Sequence, residues 1–168
     1  MIELVTGGVK SGKSMYAEEL AFSYDLHPVY LATSRIWDED HKQRIEEHKK
    51  RRSSSWENIE RETDLTDLVL HGRTVLFECV TLWLTNYFMD FQYDANKAFT
   101  KASDEILKFI NKPEHCIFVT NEIGMGVHAQ TEAGRKFADI QGKMNQLLAR
   151  RASRVTLMVS GIPLVVKG

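Results

Sequence analysis

The sequence is poor in several features that would redirect its reading. Only two cysteines, Cys79 and Cys116, occur in 168 residues. Both lie in apolar runs that read as buried strands, so they are expected to be reduced and structural. There is no excess of charge of one sign: 22 Lys and Arg stand against 23 Asp and Glu, a formal net charge of -1. That balance offers no bulk attraction to nucleic acid or to an anionic membrane. No apolar run approaches the ~18–20 residues that span a bilayer. No basic-then-apolar leader precedes the first strand, so a cytoplasmic protein is expected. Internal repeats and low-complexity tracts are absent too. The one biased stretch, Lys49-Lys50-Arg51-Arg52-Ser53-Ser54-Ser55, is short and reads as a helix end running into a loop.

What is present is an ordinary globular composition, 43% hydrophobic and 27% charged, fit for one domain over residues 1–168. The pattern alternates between strand and helix. Strands are expected at 2–6, 28–33, 74–80, 115–120 and 154–160, with a candidate sixth at 162–167. Helices are expected at 13–24, 38–52, 81–91 and 98–111. In the first, Ala17, Leu20, Ala21 and Tyr24 form one apolar face; the second has a single aliphatic residue, Ile45. Phe137, Ile140, Met144, Leu147 and Leu148 mark a further long amphipathic helix. Such alternation predicts an α/β fold, a mostly parallel sheet with helices on both faces. Ligands of such sheets bind at the carboxyl ends of the strands. The loops after Thr6, Thr33, Val80 and Thr120 are therefore expected to line the site.

Gly7-Gly8-Val9-Lys10-Ser11-Gly12-Lys13-Ser14 matches G-x4-G-K-[ST] without a gap. A chance match in a chain this long is on the order of 1 in 200. The residue types suit a phosphate-binding loop. Glycines allow a tight turn that aims backbone N–H groups at an anion. Lys13 adds a point charge over the β and γ phosphates, the Ser14 hydroxyl can ligate Mg²⁺, and the helix that follows presents its positive end. The alternative is a glycine-rich turn with an exposed lysine. A loop of this kind needs an acidic residue at the end of a nearby strand. Thr74-Val75-Leu76-Phe77-Glu78 supplies one, although an ordinary strand-end glutamate would look the same.

The segment from Arg44 to Trp56 is less generic. Arg44 and His48 are four apart, on one helical face. A neutral imidazole with a pKa near ~6.5 is a usable nucleophile, and nearby cations would hold the phosphates of its electrophile. Three other readings stay open at this point. The helix is a solvated charged face, the basic run touches nucleic acid, or His41 and His48 ligate a metal without the usual i, i+4 spacing.

Taken in order, further motifs resemble one family. They are Ala17-Glu18 after the loop, Tyr30-Leu31-Ala32-Thr33-Ser34, Arg44-Ile45 with His48, Arg51 and Arg52, and Glu78-Cys79 with Thr81-Leu82-Trp83-Leu84-Thr85-Asn86. Next come Thr120-Asn121-Glu122-Ile123-Gly124-Met125-Gly126, Phe137 with Asp139 and Gly142, Asn145-Gln146, and Val159-Ser160-Gly161-Ile162-Pro163. Over essentially its whole length the chain resembles the bifunctional adenosylcobinamide kinase / adenosylcobinamide-phosphate guanylyltransferases of cobalamin biosynthesis.

That resemblance implies a RecA-like P-loop NTPase fold and a homotrimer. It implies ATP or GTP as phosphate donor, GTP as GMP donor, Mg²⁺, and a corrinoid as acceptor. The family's guanylylated histidine falls on His48. Its nucleotide contacts fall on Gly7 to Ser14, on Ala32, Thr33 and Ser34, on Lys49, Lys50, Arg51 and Arg52, and on Glu60 and Glu78, with Ser14 and Glu78 at the metal. The chain departs from the family in places. Ser53 follows the paired arginines where proline is common, Glu47 precedes His48, and Val127-His128-Ala129-Gln130-Thr131 replaces a Val-Pro-x-Asn stretch. A P-loop kinase of another small alcohol or nucleotide, without guanylyl transfer, is the main alternative; a non-catalytic nucleotide-dependent protein is the third. Trp83, Tyr87 and Phe88 read as helix core, and Met125 either lines the site or fills a gap. His27, His71 and His115 read as non-functional, while His128, at the expected ligand edge, stays open.

Overall fold

The computed structural model describes residues 1–36, 39, 43 and 54–168. Its elements run β1 (Ile2–Gly7), α1 (Lys13–Tyr24), β2 (Val29–Ala32), β3 (Glu57–Glu60), a 3-10 turn (Leu65–Asp67) and β4 (Thr74–Glu78). They continue with α2 (Val80–Asp90), α3 (Ala95–Phe109), β5 (His115–Val119), α4 (Glu132–Arg151), β6 (Arg154–Val159) and β7 (Ile162–Lys167). The seven strands form one sheet in the order β3-β2-β4-β5-β1-β6-β7. Every pairing is parallel except β6 with β7. The expected α/β architecture is thus observed.

Alternation along the central strands divides the core. Leu4, Val29, Leu31, Val75, Phe77, Cys116 and Phe118 face α2, α3 and α4. Their neighbours Val5, Tyr30, Leu76, Ile117 and Val119 face α1, where Ala17 and Ala21 pack with no exposed surface. Strands buried on both faces read as continuous apolar runs, which is why β4 and β5 were legible. Phe77 anchors the larger side, with ring centroids 5.7 Å from Trp83, 5.5 Å from Phe109 and 5.1 Å from Phe118.

Two details depart from expectation, while the candidate strand over 162–167 is found as β7. The strand expected over 74–80 stops at Glu78, because Cys79 is the N-cap of α2 and Val80 already opens that helix. β3 was not expected at all: Glu-Asn-Ile-Glu is polar, and only Ile59 is shielded. β7 is antiparallel and exposed along its length, closing a two-residue hairpin through Ser160 at φ 51° and Gly161 at φ 84°. Positive φ at both central positions is the type I′ geometry that suits strand twist. Of the helix expected over 38–52, Glu39 and Gln43 are described and helical. The remainder, His48 included, lies outside the described residues.

Candidate active site

The carboxyl edge of the sheet gathers the predicted site by register. Ala32 pairs with Glu60 on one side and Glu78 on the other, and Glu78 pairs with Val119. Glu60, Ala32 and Glu78 therefore stand in one row, at one edge, on the face that α1 covers. The glycine loop leaves β1 in the same corner. Its shape needs glycine at two positions. Gly7 has φ 151°, and a Cβ there would lie 2.6 Å from the Met158 carbonyl oxygen. Gly12 has φ 92°, and its Cβ would lie 3.2 Å from Gly161 Cα.

Neighbouring loops clasp this one. Gly161 N–H donates to the Ser11 carbonyl at 3.0 Å, and Glu122 N–H donates to the Gly7 carbonyl at 3.0 Å. Gly8, Val9 and Lys10 are exposed at the tip, while Ser11 and Lys13 are buried. Gly12 caps α1 without a side-chain hydrogen bond, so the positive end of the helix stays open to an anion.

Lys13 Nζ donates to the Gly8 carbonyl at 2.6 Å, which bends the ammonium back over the loop. Burial lowers the Lys13 pKa from its ordinary range, opposed by the negative charge of Glu78 and by Cys79. A phosphate against the ammonium would relieve that desolvation. Beside it, Ser14 Oγ donates to Glu78 Oε1 at 3.2 Å. A hydroxyl and a carboxylate oxygen in one place are hard donors that fit Mg²⁺, which ordinarily takes one or two protein oxygens and completes its shell with water and phosphate. Among the described residues no cluster of three or more His, Cys, Asp or Glu could hold a metal by itself. Burial pushes the neighbouring Cys79 thiol up to about 12, so it stays protonated and is no nucleophile.

Thr33 is fully buried, and its side chain serves the backbone. Its hydroxyl donates to the carbonyls of Glu78 at 3.3 Å and Cys79 at 3.2 Å, and its N–H donates to the Glu78 carbonyl at 3.1 Å. Ser34 is half-buried with its hydroxyl donating to the Arg35 carbonyl, and Glu60 is exposed. His128 is exposed in the loop after β5. His48, Lys49, Lys50, Arg51 and Arg52 lie outside the described residues.

Some supporting residues had no assigned role in the sequence. Asn86, on α2, is buried and donates through Nδ2 to the carbonyls of Thr33 at 2.7 Å and Glu62 at 3.0 Å. Thr81 Oγ1 accepts from Asn121 N–H at 3.0 Å. Asn145 Oδ1 accepts from Thr120 Oγ1 at 2.7 Å and Gln141 Nε2 at 2.8 Å, while its Nδ2 donates to the Asn121 carbonyl at 3.2 Å. These bonds fix the turn that carries Glu122 to the glycine loop. Asn86, Thr81 and Asn145 lie inside the motifs quoted above, which was the available signal.

An anion-ready loop at the carboxyl edge of a parallel sheet, with hydroxyl and carboxylate beside it, defines a class of α/β proteins that handle phosphate-bearing ligands. The comparisons narrow this class. Residues 3–166 match the model of the family described as cobinamide kinase / cobinamide phosphate guanyltransferase. The chain is 37% identical to the bifunctional adenosylcobalamin biosynthesis protein CobU of Escherichia coli, covering 99% of this chain and 100% of the relative. It is 35% identical to the corresponding CobP of Pseudomonas aeruginosa, over 100% and 98% of the two chains, and 36% identical to CobU of Salmonella typhimurium, over 99% and 100%. The chain belongs to the cobinamide kinase / cobinamide phosphate guanyltransferase family.

Proposed function

We propose that this protein phosphorylates adenosylcobinamide with ATP or GTP and then transfers GMP from GTP to the product, giving adenosyl-GDP-cobinamide. Carrying this reading is the Ser14–Glu78 pair beside the buried Lys13, in a chain that matches the family from end to end. The fold is then a RecA-like P-loop NTPase in one domain over residues 1–168. Gly7 to Ser14, Ala32, Thr33, Ser34 and Glu60 bind nucleotide, as do Lys49, Lys50, Arg51 and Arg52. Ser14 and Glu78 hold Mg²⁺, which supplies charge neutralisation of the phosphates when bound.

In the kinase step the loop N–H groups and Lys13 grip the β and γ phosphates. The acceptor hydroxyl oxygen bonds to γ-phosphorus, the bridge to the β-phosphate breaks, and the diphosphate leaves with the electron pair. The hydroxyl proton passes to a base. In the second step the neutral imidazole of His48 attacks the α-phosphorus of GTP. A P–N bond forms, the α–β bridge breaks, and pyrophosphate leaves. The phosphate oxygen of cobinamide phosphate then attacks the same phosphorus, and the imidazole departs. Two displacements replace one hard step.

We propose further that the protein is a cytoplasmic homotrimer without a nucleic-acid partner. Among the described residues no helix is long and apolar enough to cross a membrane. The exposed Ile162, Leu164 and Val166 of edge strand β7 offer a face for a second copy. Incubation with α-labelled GTP and Mg²⁺ tests the reading. It predicts label on the protein that survives alkali and is released by acid. Corrinoid phosphorylation without protein labelling would instead identify a kinase alone.

A further inference from the structure

β3 is the outermost strand of the sheet, four residues long, and three of them are exposed. Apolar burial therefore does little to fix it, yet it carries Glu60. Its pairing with β2 ends on the bond from Arg61 N–H to the Ala32 carbonyl at 2.9 Å. Beyond that bond, α2 ties the main chain. Asn86 Nδ2 donates to the Thr33 carbonyl at 2.7 Å and to the Glu62 carbonyl at 3.0 Å. One amide thus bridges the exits of β2 and β3. Both acceptors are carbonyls, so the amide has one workable orientation, nitrogen toward the strands. That orientation leaves Asn86 Oδ1 buried without a hydrogen-bond partner among the described residues. An orphaned buried carbonyl costs stability, so stability alone does not account for this amide.

A second tie lies further along the chain. Tyr87 Oη accepts from Asp64 N–H at 3.4 Å and donates to Glu105 Oε2 at 2.5 Å, while Glu105 Oε1 accepts from Leu65 N–H at 3.2 Å. Leu65 is itself fully buried in the core. The chain is therefore anchored from Asp64 onward by bonds that do not involve Asn86. β2 is likewise held to β4 by the bonds of Thr33 to Glu78 and Cys79. The ion pair of Glu62 with Arg35 joins side chains at the surface, where such pairs contribute little. Asn86 instead holds the main chain between β3 and Asp64, and with it the direction in which Glu60 is presented.

Glu60, Ala32 and Glu78 stand in one register row, so Glu60 lies two strand spacings from Glu78, about 10 Å. With the phosphates gripped beside Ser14 and Glu78, a nucleoside extended along that row meets the Glu60 carboxylate, an acceptor for its N–H and O–H donors. We propose that Asn86 is a positioning residue for the nucleoside end of the bound triphosphate: by bridging Thr33 and Glu62 it presents Glu60 to the nucleoside, while the glycine loop holds the phosphates independently. This rests on the reading of Glu60 as a nucleotide contact.

The test titrates wild type, Asn86→Ala, Tyr87→Phe and Glu60→Gln with GTP and with inorganic tripolyphosphate, each in the presence of Mg²⁺. Tripolyphosphate offers the phosphates without a nucleoside. Glu60→Gln is expected to weaken GTP by about tenfold or more, the loss of a hydrogen bond to a charged group. Asn86→Ala is expected to weaken GTP by about fivefold or more, because a misdirected charge-assisted bond loses much of its strength. Its affinity for tripolyphosphate is expected to stay within about twofold. Asn86→Ser, whose hydroxyl is too short to span both carbonyls, gives a second variant with the same expectation, and a thermal melt of each variant checks folding. Tyr87→Phe loosens the other tie and is expected to lower the melting temperature while leaving the ratio of the two affinities within about twofold. Equal weakening of GTP and tripolyphosphate by Asn86→Ala, or the same change of ratio in Tyr87→Phe, would mark a merely structural role and overturn the inference. Unchanged GTP affinity in Asn86→Ala, where Glu60→Gln weakens it, would overturn it too and leave Glu60 as a nucleotide contact. Unchanged GTP affinity in Glu60→Gln would overturn the reading of Glu60 and this inference with it.

Discussion

Replacing Asn145 by Ala probes the buried polar network under the site. Asn145 Oδ1 is the acceptor for Thr120 Oγ1 and Gln141 Nε2, two groups on residues with no exposed surface. Its Nδ2 serves the Asn121 carbonyl, on a half-buried residue. Orphaning a buried polar group costs about 1–3 kcal/mol. Gln141 retains its bond to Thr120 Oγ1 at 2.9 Å, and water can reach Asn121, so the losses do not simply add. The expected destabilisation is about 2–4 kcal/mol, a large share of the roughly 5–15 kcal/mol typical of a domain. Urea unfolding reads it directly. With m near the usual ~2 kcal/mol per molar, the midpoint should fall by about 1–2 M at unchanged m. Triphosphate affinity should fall as well, because the loosened turn carries the Glu122 N–H that braces Gly7. A midpoint shift of only a few tenths molar would refute the network argument.

Lys13→Met should weaken triphosphate binding by about tenfold or more, since a charge-assisted phosphate contact is lost. The same variant should not destabilise the free protein, because burial already works against the Lys13 ammonium; titration calorimetry and a thermal melt separate the two effects. Cys79 gives a pH prediction. Its thiol is raised from 9.0 to about 12 by burial, so above pH 9.0 the unfolded chain loses a proton that the folded chain keeps. Stability should therefore fall as pH rises through that window, by up to about 1.4 kcal/mol per pH unit for this group. Urea midpoints at pH 8, 9 and 10 check the sign.

Some of this was legible in the sequence because it is local. The glycine loop and α1 follow from one motif and one helical face. Glu78 stood out as a carboxylate closing an apolar strand, and the structure places it 3.2 Å from Ser14. β3 was illegible because Glu-Asn-Ile-Glu carries neither an apolar run nor a β-branched cluster; parallel pairing with β2 makes it a strand. Cys79 read as strand because caps are set by the chain reversal after Glu78, not by residue type. Asn86, Gln141 and Asn145 sit on helices, where a polar side chain looks the same in sequence whether it meets water or a buried carbonyl. Only packing distinguishes the two.

The central claim is that His48 carries GMP between two displacements. Its most direct test is peptide mass mapping of the protein after incubation with GTP and Mg²⁺, under alkaline conditions that keep a P–N bond intact. The account predicts one GMP on the peptide that contains His48, removed by brief acid or by cobinamide phosphate, and absent from His48→Ala. GMP on another residue, or equal modification of His48→Ala, would contradict it.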